Sequence, residues 1–370
     1  MNPFLEPSLI TSFNSRSTLE ALSDLGRPER LAGLLGHAGA SVDTVDLYCF
    51  GPRDPKLLCG DPEAPRGGMM QWLGSLTSRQ LKTIACRLGK YLTSGLPRRR
   101  GVACLATNLP CISVPDSPGE APRRQAVRAI KKLLLLAHEL GVSCVEIVCG
   151  SNFIRTGQLA AEWETQVGTY CANRRRAALV ESLASLDRWI ELQHFSPPVG
   201  LAVELEPGPS YGVNSGHEAM SLFDALDHRL RHRAQHVALN LDIGHAWLIS
   251  TLREKELPML LREHFIDRIA HAHLSVHAPT AHFSDLPVTE AMLNDAFQPW
   301  IDLFKDSQAG DNRCKFATHT IAIEQEGAIP QSRAVGSYIA LREWLTDRGY
   351  RTADVIAQTH TARSGAPSMT

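Results

Sequence analysis

Short β-branched runs that end in polar or Gly/Pro punctuation alternate along the chain with longer stretches whose apolar residues recur at helical period. That is the pattern of βα units around a parallel sheet. It predicts strands at Ser8 to Phe13, Ser41 to Phe50, Gly101 to Asn108, Ser143 to Cys149, Val199 to Glu206, His236 to Ile243, Arg268 to Ser275 and Phe316 to Glu324. Helices are predicted over 29–37, 77–94, 122–140, 174–194, 216–231, 252–264, 288–305 and 332–348. Gly141 and Gly349 follow two of these stretches and read as helix stops, because glycine tolerates the left-handed conformation a helix end adopts. Eight strands and eight helices in regular alternation predict an α/β chain folded as a single (β/α)8 TIM barrel with long βα loops, the longest over 51–72 and 151–173. An open doubly wound sheet is the alternative. No Gly-x-Gly-x-x-Gly follows the first strand, so a dinucleotide domain has no support. The barrel is expected over residues 1–350, with 351–370 as a tail lacking apolar period.

Length agrees: 370 residues fall within the range of such barrels, roughly 200 to 400 with insertions. Lys and Arg total 38 against 39 Asp and Glu. A chain so nearly neutral carries no global field for a nucleic acid or an anionic membrane surface, and neither is expected as a partner. Nine cysteines, an odd number without a Cys-x-x-Cys pair, argue for buried reduced thiols over a disulfide framework or a zinc ribbon. The first residues lack a basic region followed by an apolar stretch, and no window approaches the ~18 apolar residues of a membrane span. A cytoplasmic location is therefore expected.

Strands of a parallel barrel are buried on both faces, so ionisable side chains on them are costly unless paired or bound to a metal. The last four predicted strands all carry such groups near their C-terminal ends: Val203-Glu204-Leu205-Glu206, Leu241-Asp242-Ile243-Gly244-His245, His271-Ala272-His273-Leu274 and Ile323-Glu324-Gln325-Glu326. In a closed barrel these ends converge at one mouth, where catalytic groups collect. Two glutamates, an aspartate and a histidine make an oxygen-rich ligand set suited to Mn²⁺, Mg²⁺ or Co²⁺, with Zn²⁺ also accommodated. Alternation puts Glu204 with Glu206, His271 with His273 and Glu324 with Glu326 on common faces, so periodicity does not choose the ligand within each pair.

With these residues in view, the chain over roughly 8–348 resembles the xylose isomerase-like barrel superfamily of sugar isomerases, sugar 3-epimerases, inosose dehydratases and apurinic-site endonucleases. The resemblance rests on Val203-Glu204-Leu205-Glu206-Pro207, Asp242-x-x-His245, His271-x-His273 and Ile321-x-Ile323-Glu324, in that order and spacing, and on the step from Arg123 through Gly141 to Val148. It implies that Glu204, Asp242, His273 and Glu324 bind one divalent cation, Mn²⁺ foremost, and that His245 stands where the epimerases contact a substrate hydroxyl and the endonucleases a second metal. It also implies a homodimeric or homotetrameric assembly. Where the endonucleases carry extra histidines after strands 3 and 4, this chain has Thr107-Asn108 and Val148-Cys149-Gly150, against a phosphodiesterase. Where the 3-epimerases place Gly-Glu and then Arg after the seventh-strand histidine, it has Ser275-Val276-His277-Ala278-Pro279. Its substrate contacts are thus not those of a standard ketohexose epimerase.

The expected activity is isomerisation or epimerisation of a small sugar or sugar-like polyol, with Glu204 and Glu324 moving the proton through a metal-stabilised enediolate. Glu206, His245, His271, His277, His282, Asn108 and Trp247 are the candidates for substrate contact. The alternative is a hydrolase or dehydratase of the same superfamily using one or two metals, with His277, His282 and Asp285 completing a second site.

Overall fold

A computed structural model of the protein describes residues 5–12, 44–48, 73–93, 101–108, 110–113, 120–149, 168–207, 211–276, 286–309, 313–324 and 331–350. Eight parallel strands close into a barrel in sequence order: β1 Glu6–Ser12, β2 Thr44–Tyr48, β3 Gly101–Asn108, β4 Cys144–Val148, β5 Gly200–Glu204, β6 Val237–Asp242, β7 Ile269–Leu274 and β8 Thr320–Ile323. β8 pairs with β1, which removes the sheet edge. The barrel and its strand assignments are those the alternation predicts, trimmed by a few residues at most ends. The expected helix over 29–37 and the loop over 51–72 lie outside the described residues.

Crossover helices cover the outside, among them Ser78–Thr93, Glu120–Leu140, Gly168–Gln193, Gly216–Leu230 and Gln331–Asp347. Gly141 and Gly349 take φ of 74° and 71°, as the two stop signals require. Leucine, isoleucine and valine from the strands' outer faces and the helices form one continuous core. Strands β4 to β7 are buried along their whole length. No helix among the described residues is long and apolar enough to cross a membrane.

Three local differences from the sequence reading bear on the site. A helix over Ile243–Leu252 begins directly at the end of β6, followed by a separate one over Leu257–Phe265, where one helix over 252–264 is expected. Asp242 starts the first of them: its carboxylate accepts the His245 N–H at 2.8 Å, an N-cap inside an apolar run that otherwise reads as strand and turn. Strand β8 is four residues instead of nine, because the chain before it turns through His319 at φ 57°. The expected helix over 288–305 is broken into Glu290–Met292, a π turn over Leu293–Phe297 and Gln298–Ser307; Pro299, with no N–H to donate, sits just beyond the π turn.

Phe316 turns inward instead of extending β8, and closes the N-terminal end of the barrel against Cys104, Cys144, Ala202, Ala238 and Ala270. A Cβ on Gly200 would lie 2.3 Å from its ring, so only glycine admits the plug. Above that apolar floor the interior becomes polar, in place of the branched apolar layers usual in such barrels.

Candidate metal centre at the barrel mouth

Each member of the predicted quartet is delivered by one strand of the arc β5–β6–β7–β8. Glu204 ends β5, Asp242 ends β6, His273 is the fifth residue of β7, and Glu324 follows β8, its N–H extending the ladder to Leu274 O at 3.1 Å. The β6–β7 register slips by one between Leu239 and Asn240, which pairs Asn240 with His271 and Asp242 with His273. This bulge, not visible as a sequence signal, brings the His-x-His pair alongside the inward residues of β6. One ligand atom from each of Glu204, Asp242, His273 and Glu324 lies within 4.8 Å of the others.

The cluster is crowded around His273. Its Nδ1 lies 3.3 Å from Glu204 Oε1, 3.2 Å from Glu324 Oε2 and 3.3 Å from Asn240 Nδ2. One ring nitrogen cannot serve two carboxylates and an amide N–H at once, so these atoms converge on a common point more than they bond to one another. Glu324 Oε2 and Glu206 Oε2 are buried without a hydrogen-bond partner. Asp242 is held from two sides: Ser275 Oγ donates to its two oxygens at 2.8 and 2.9 Å while the His245 N–H caps it. Among the described residues the buried groups able to carry positive charge are His245, His271, His273 and Arg268, and Arg268 pairs with Asp227 at 2.5 Å. The carboxylates at the mouth thus lack enough fixed positive charge, and the donor set fits a divalent cation.

The electrostatics follow from the same crowding. Burial, reinforced by Glu204 and Asp242 and partly offset by the His273 contact, pushes the Glu324 carboxyl up to about 7. Burial likewise raises Glu206 well above the carboxylate range. For His245, burial opposes the charge, but Asp242, Glu206, Glu204 and Glu324 outweigh it and lift the imidazole to about 9. His273 is raised in the same way, its burial overcome by Glu204 and Glu324.

His245 and Glu206 join the site from its side. His245 Nδ1 lies 3.2 Å from Leu205 O and 3.7 Å from Glu206 Oε2, and Glu204, Glu206 and His245 form a second close group sharing Glu204 with the first. His271 is one layer deeper. Burial lowers its pKa, and its Nε2 donates to Asp46 Oδ2 at 2.6 Å while its Nδ1 meets Thr318 Oγ1 at 2.7 Å. Ser8 Oγ donates to the other Asp46 oxygen at 2.7 Å. Trp247 packs edge-on against Phe297 on the flank of the mouth, ring centroids 6.1 Å apart. Asn108 ends β3, and His277, His282, Asp285 and Glu326 lie outside the described residues.

Asp46, Glu146, Asn240 and Ser275 belong to this interior and are missed by the sequence reading. The signal was available for two of them: Asp46 in Val45-Asp46-Leu47 and Glu146 in Val145-Glu146-Ile147 are charged residues inside apolar strands, the same anomaly that marks β5 to β8. Gly244 is the site's tightest backbone approach, since a Cβ there would fall 2.0 Å from Ser275 O. Gly244→Ala is expected to push Ser275 away from Asp242 and to cost about 1–3 kcal/mol of stability, read by chemical denaturation. A variant as stable as the parent would show that the β7 end yields freely.

A family model described as xylose isomerase-like TIM barrel matches residues 94–310. No curated protein sequence matches the chain significantly. Among solved structures, the chain is similar to a D-tagatose 3-epimerase-like protein at TM-score 0.56 and 16% identity, over 92% of this chain and 97% of that one. It is similar to the 3-keto-D-glucoside 4-epimerase of E. coli at TM-score 0.53 and 14% identity, over 92% and 99%. A third likeness is to the zinc-bound IOLI protein, at TM-score 0.51 and 14% identity over 92% and 97%. At these identities the likenesses establish the fold.

Proposed function

We propose that this chain, which belongs to the xylose isomerase-like TIM barrel family, is a divalent-cation-dependent isomerase or epimerase of a sugar or sugar-like polyol. One observation carries the reading: two glutamates, the buried Glu204 and the largely buried Glu324, stand at the two ends of a four-strand arc and face the same nitrogen of His273. Glu204, Asp242, His273 and Glu324 would hold the ion, with Mn²⁺ the best match to an oxygen-rich set and Mg²⁺, Co²⁺ or Zn²⁺ as substitutes. When bound, the cation supplies a Lewis acid that offsets the negative charge developing on the substrate's adjacent oxygens.

The chain's own groups account for the rest. A glutamate at one end of the arc takes a proton from the carbon next to a carbonyl, and the glutamate at the other end returns one. Delivery to the same carbon from the opposite side inverts it; delivery to the neighbouring carbon, with the hydroxyl proton passing from one of the adjacent oxygens to the other, moves the carbonyl. His245 and Glu206, paired beside Glu204, are placed to hydrogen-bond substrate hydroxyls. The seventh-strand sequence Ser275-Val276-His277 in place of Gly-Glu and Arg indicates a substrate other than a common ketohexose. Structural likeness to a D-tagatose 3-epimerase-like protein and to a 3-keto-D-glucoside 4-epimerase agrees with a small polyhydroxylated substrate.

The test is solvent exchange. Incubated with Mn²⁺ and a panel of ketoses, aldoses and cyclic ketopolyols in D₂O, the protein is expected to place carbon-bound deuterium beside the carbonyl of its substrate, read by mass spectrometry. Cleavage of an ester or glycosidic bond with no deuterium on carbon would favour the second reading, a metal-dependent hydrolase. The observation behind that second reading is that the Glu204, Glu206 and His245 group shares Glu204 with the quartet, and about two ions per chain by elemental analysis would accompany it.

A further inference from the structure

Glu146 is the buried charge that the site as described leaves unexplained. It lies in the middle of β4 and is fully buried; no N–H or hydroxyl reaches either of its carboxylate oxygens, and the side chain it meets is Glu204, a second carboxyl group that cannot satisfy it when both are ionised. Alternation fixes its direction. Cys144, two residues earlier, packs inside the barrel against Ala202, Ala238 and Ala270, so Glu146 also points inward, one layer nearer the mouth. The register agrees: Glu146 pairs with Ala202, and Ile147 with Val203, which sets Glu146 just below Glu204 on the adjoining strand. The charges it feels most are those of Glu204, His273 and Glu324, three of the four quartet members.

Two other buried atoms on the inner side of the quartet lack a hydrogen bond. Asn240 Oδ1 has none, and His273 Nε2 has only Asp46 Oδ2 at 3.9 Å, although the opposite ends of the same side chains, Asn240 Nδ2 and His273 Nδ1, meet at 3.3 Å. A buried carboxylate, amide oxygen and ring nitrogen that lack hydrogen-bonding partners of the right kind, on the inner side of a cation-binding quartet, cost several kcal/mol together if nothing satisfies them. The neighbouring Ser8–Asp46–His271–Thr318 chain is hydrogen-bonded from end to end, so the deficit is confined to the Glu146 side.

We infer that Glu146 is a fourth acidic group of the cation centre, engaging the ion from beneath through one ordered water that also meets Asn240 and His273. The inference rests on the cation site of the proposed function. It explains why a glutamate occupies an interior position where a barrel of this kind carries a branched apolar residue. Its charge adds to the pull on the cation, and a water held between it and Asn240 gives the floor of the site a fixed polar wall.

Mn²⁺ titrated into the full-length protein, with the free ion counted by electron paramagnetic resonance, tests this without any substrate. Glu146→Gln is expected to weaken Mn²⁺ binding roughly 10–100-fold, with the far-UV spectrum unchanged, and Glu146→Asp to recover part of the loss. The metal-free variant should melt no lower than metal-free wild type, while the rise produced by Mn²⁺ shrinks. A residue with only a structural role gives the reverse, a lower metal-free melting point and an unchanged rise, and that result overturns the inference; so does an affinity within about twofold of wild type. Should wild type itself bind no divalent cation, the proposed function fails first and for a different reason. If neither variant folds, anomalous diffraction from Mn²⁺-loaded wild type decides: a Glu146 carboxylate further from the ion than one bridging water overturns the assignment.

Discussion

Stripping divalent cations from the folded protein is expected to abolish turnover and lower the melting temperature, with both restored by added Mn²⁺. The expectation follows from charge. Glu204, Glu206, Asp242 and Glu324 crowd one end of the barrel, each buried or nearly so, around imidazoles that cannot neutralise them all. A cation that binds this arrangement and not the unfolded chain stabilises the fold by about 2.7 kcal/mol at a hundredfold excess over its dissociation constant, enough to shift the melting point by several degrees. The order of restoration among Mn²⁺, Co²⁺, Mg²⁺ and Zn²⁺ then reads the site's own preference. Protein shown by elemental analysis to be metal-free, yet fully active and melting where it did before, would remove the ion from both function and fold.

The fold was largely legible because its signals are local and repeated. Eight apolar runs in alternation with amphipathic stretches leave few ways to bury both faces of each strand, and Gly141 and Gly349 mark helix ends by a backbone requirement that no other residue meets as cheaply. The quartet was legible for a related reason: an ionisable side chain at the end of a strand buried on both sides demands an explanation, and four consecutive strands share the demand. What the sequence hid depends on register and close approach. The β6–β7 slip that aligns Asp242 with His273, the Asp242 cap that starts a helix inside an apolar run, and the inward turn of Phe316 over Gly200 are set by three-dimensional neighbours. Periodicity left open which of Glu204 and Glu206 joins the quartet. The fold groups Glu204 with Asp242, His273 and Glu324, and sets Glu206 against His245, because Glu204 is the last residue of β5 while Glu206 lies beyond it in a segment tied by its N–H to Val213 O. His271, two residues before His273, is drawn down to Asp46 by the partners available in that layer.

Replacing Glu324 by Gln is expected to cut kcat by about 10²–10⁴-fold, the range over which a positioned proton-transfer group acts, while the protein keeps its fold. The amide preserves the size of the side chain and an oxygen able to meet a cation, but it cannot take up or deliver a proton. The substitution therefore separates the two duties that the proposed mechanism gives this residue. Were Glu324 needed only to hold the ion, the variant would bind Mn²⁺ less tightly and saturating Mn²⁺ would bring the rate back; loss of proton transfer is not rescued at any concentration. Glu204 stands at the other end of the arc and has the complementary step in the proposed mechanism, so Glu204→Gln should be equally inactive, with a difference between the two in exchange chemistry. The variant that retains the proton-abstracting glutamate still exchanges the substrate's carbon-bound hydrogen with solvent deuterium while forming no product; the variant that lacks it exchanges none. Retention of more than roughly a tenth of the wild-type rate by Glu324→Gln at saturating Mn²⁺ lies outside that range and would leave the residue as a ligand alone, moving the second proton-transfer role elsewhere in the mouth.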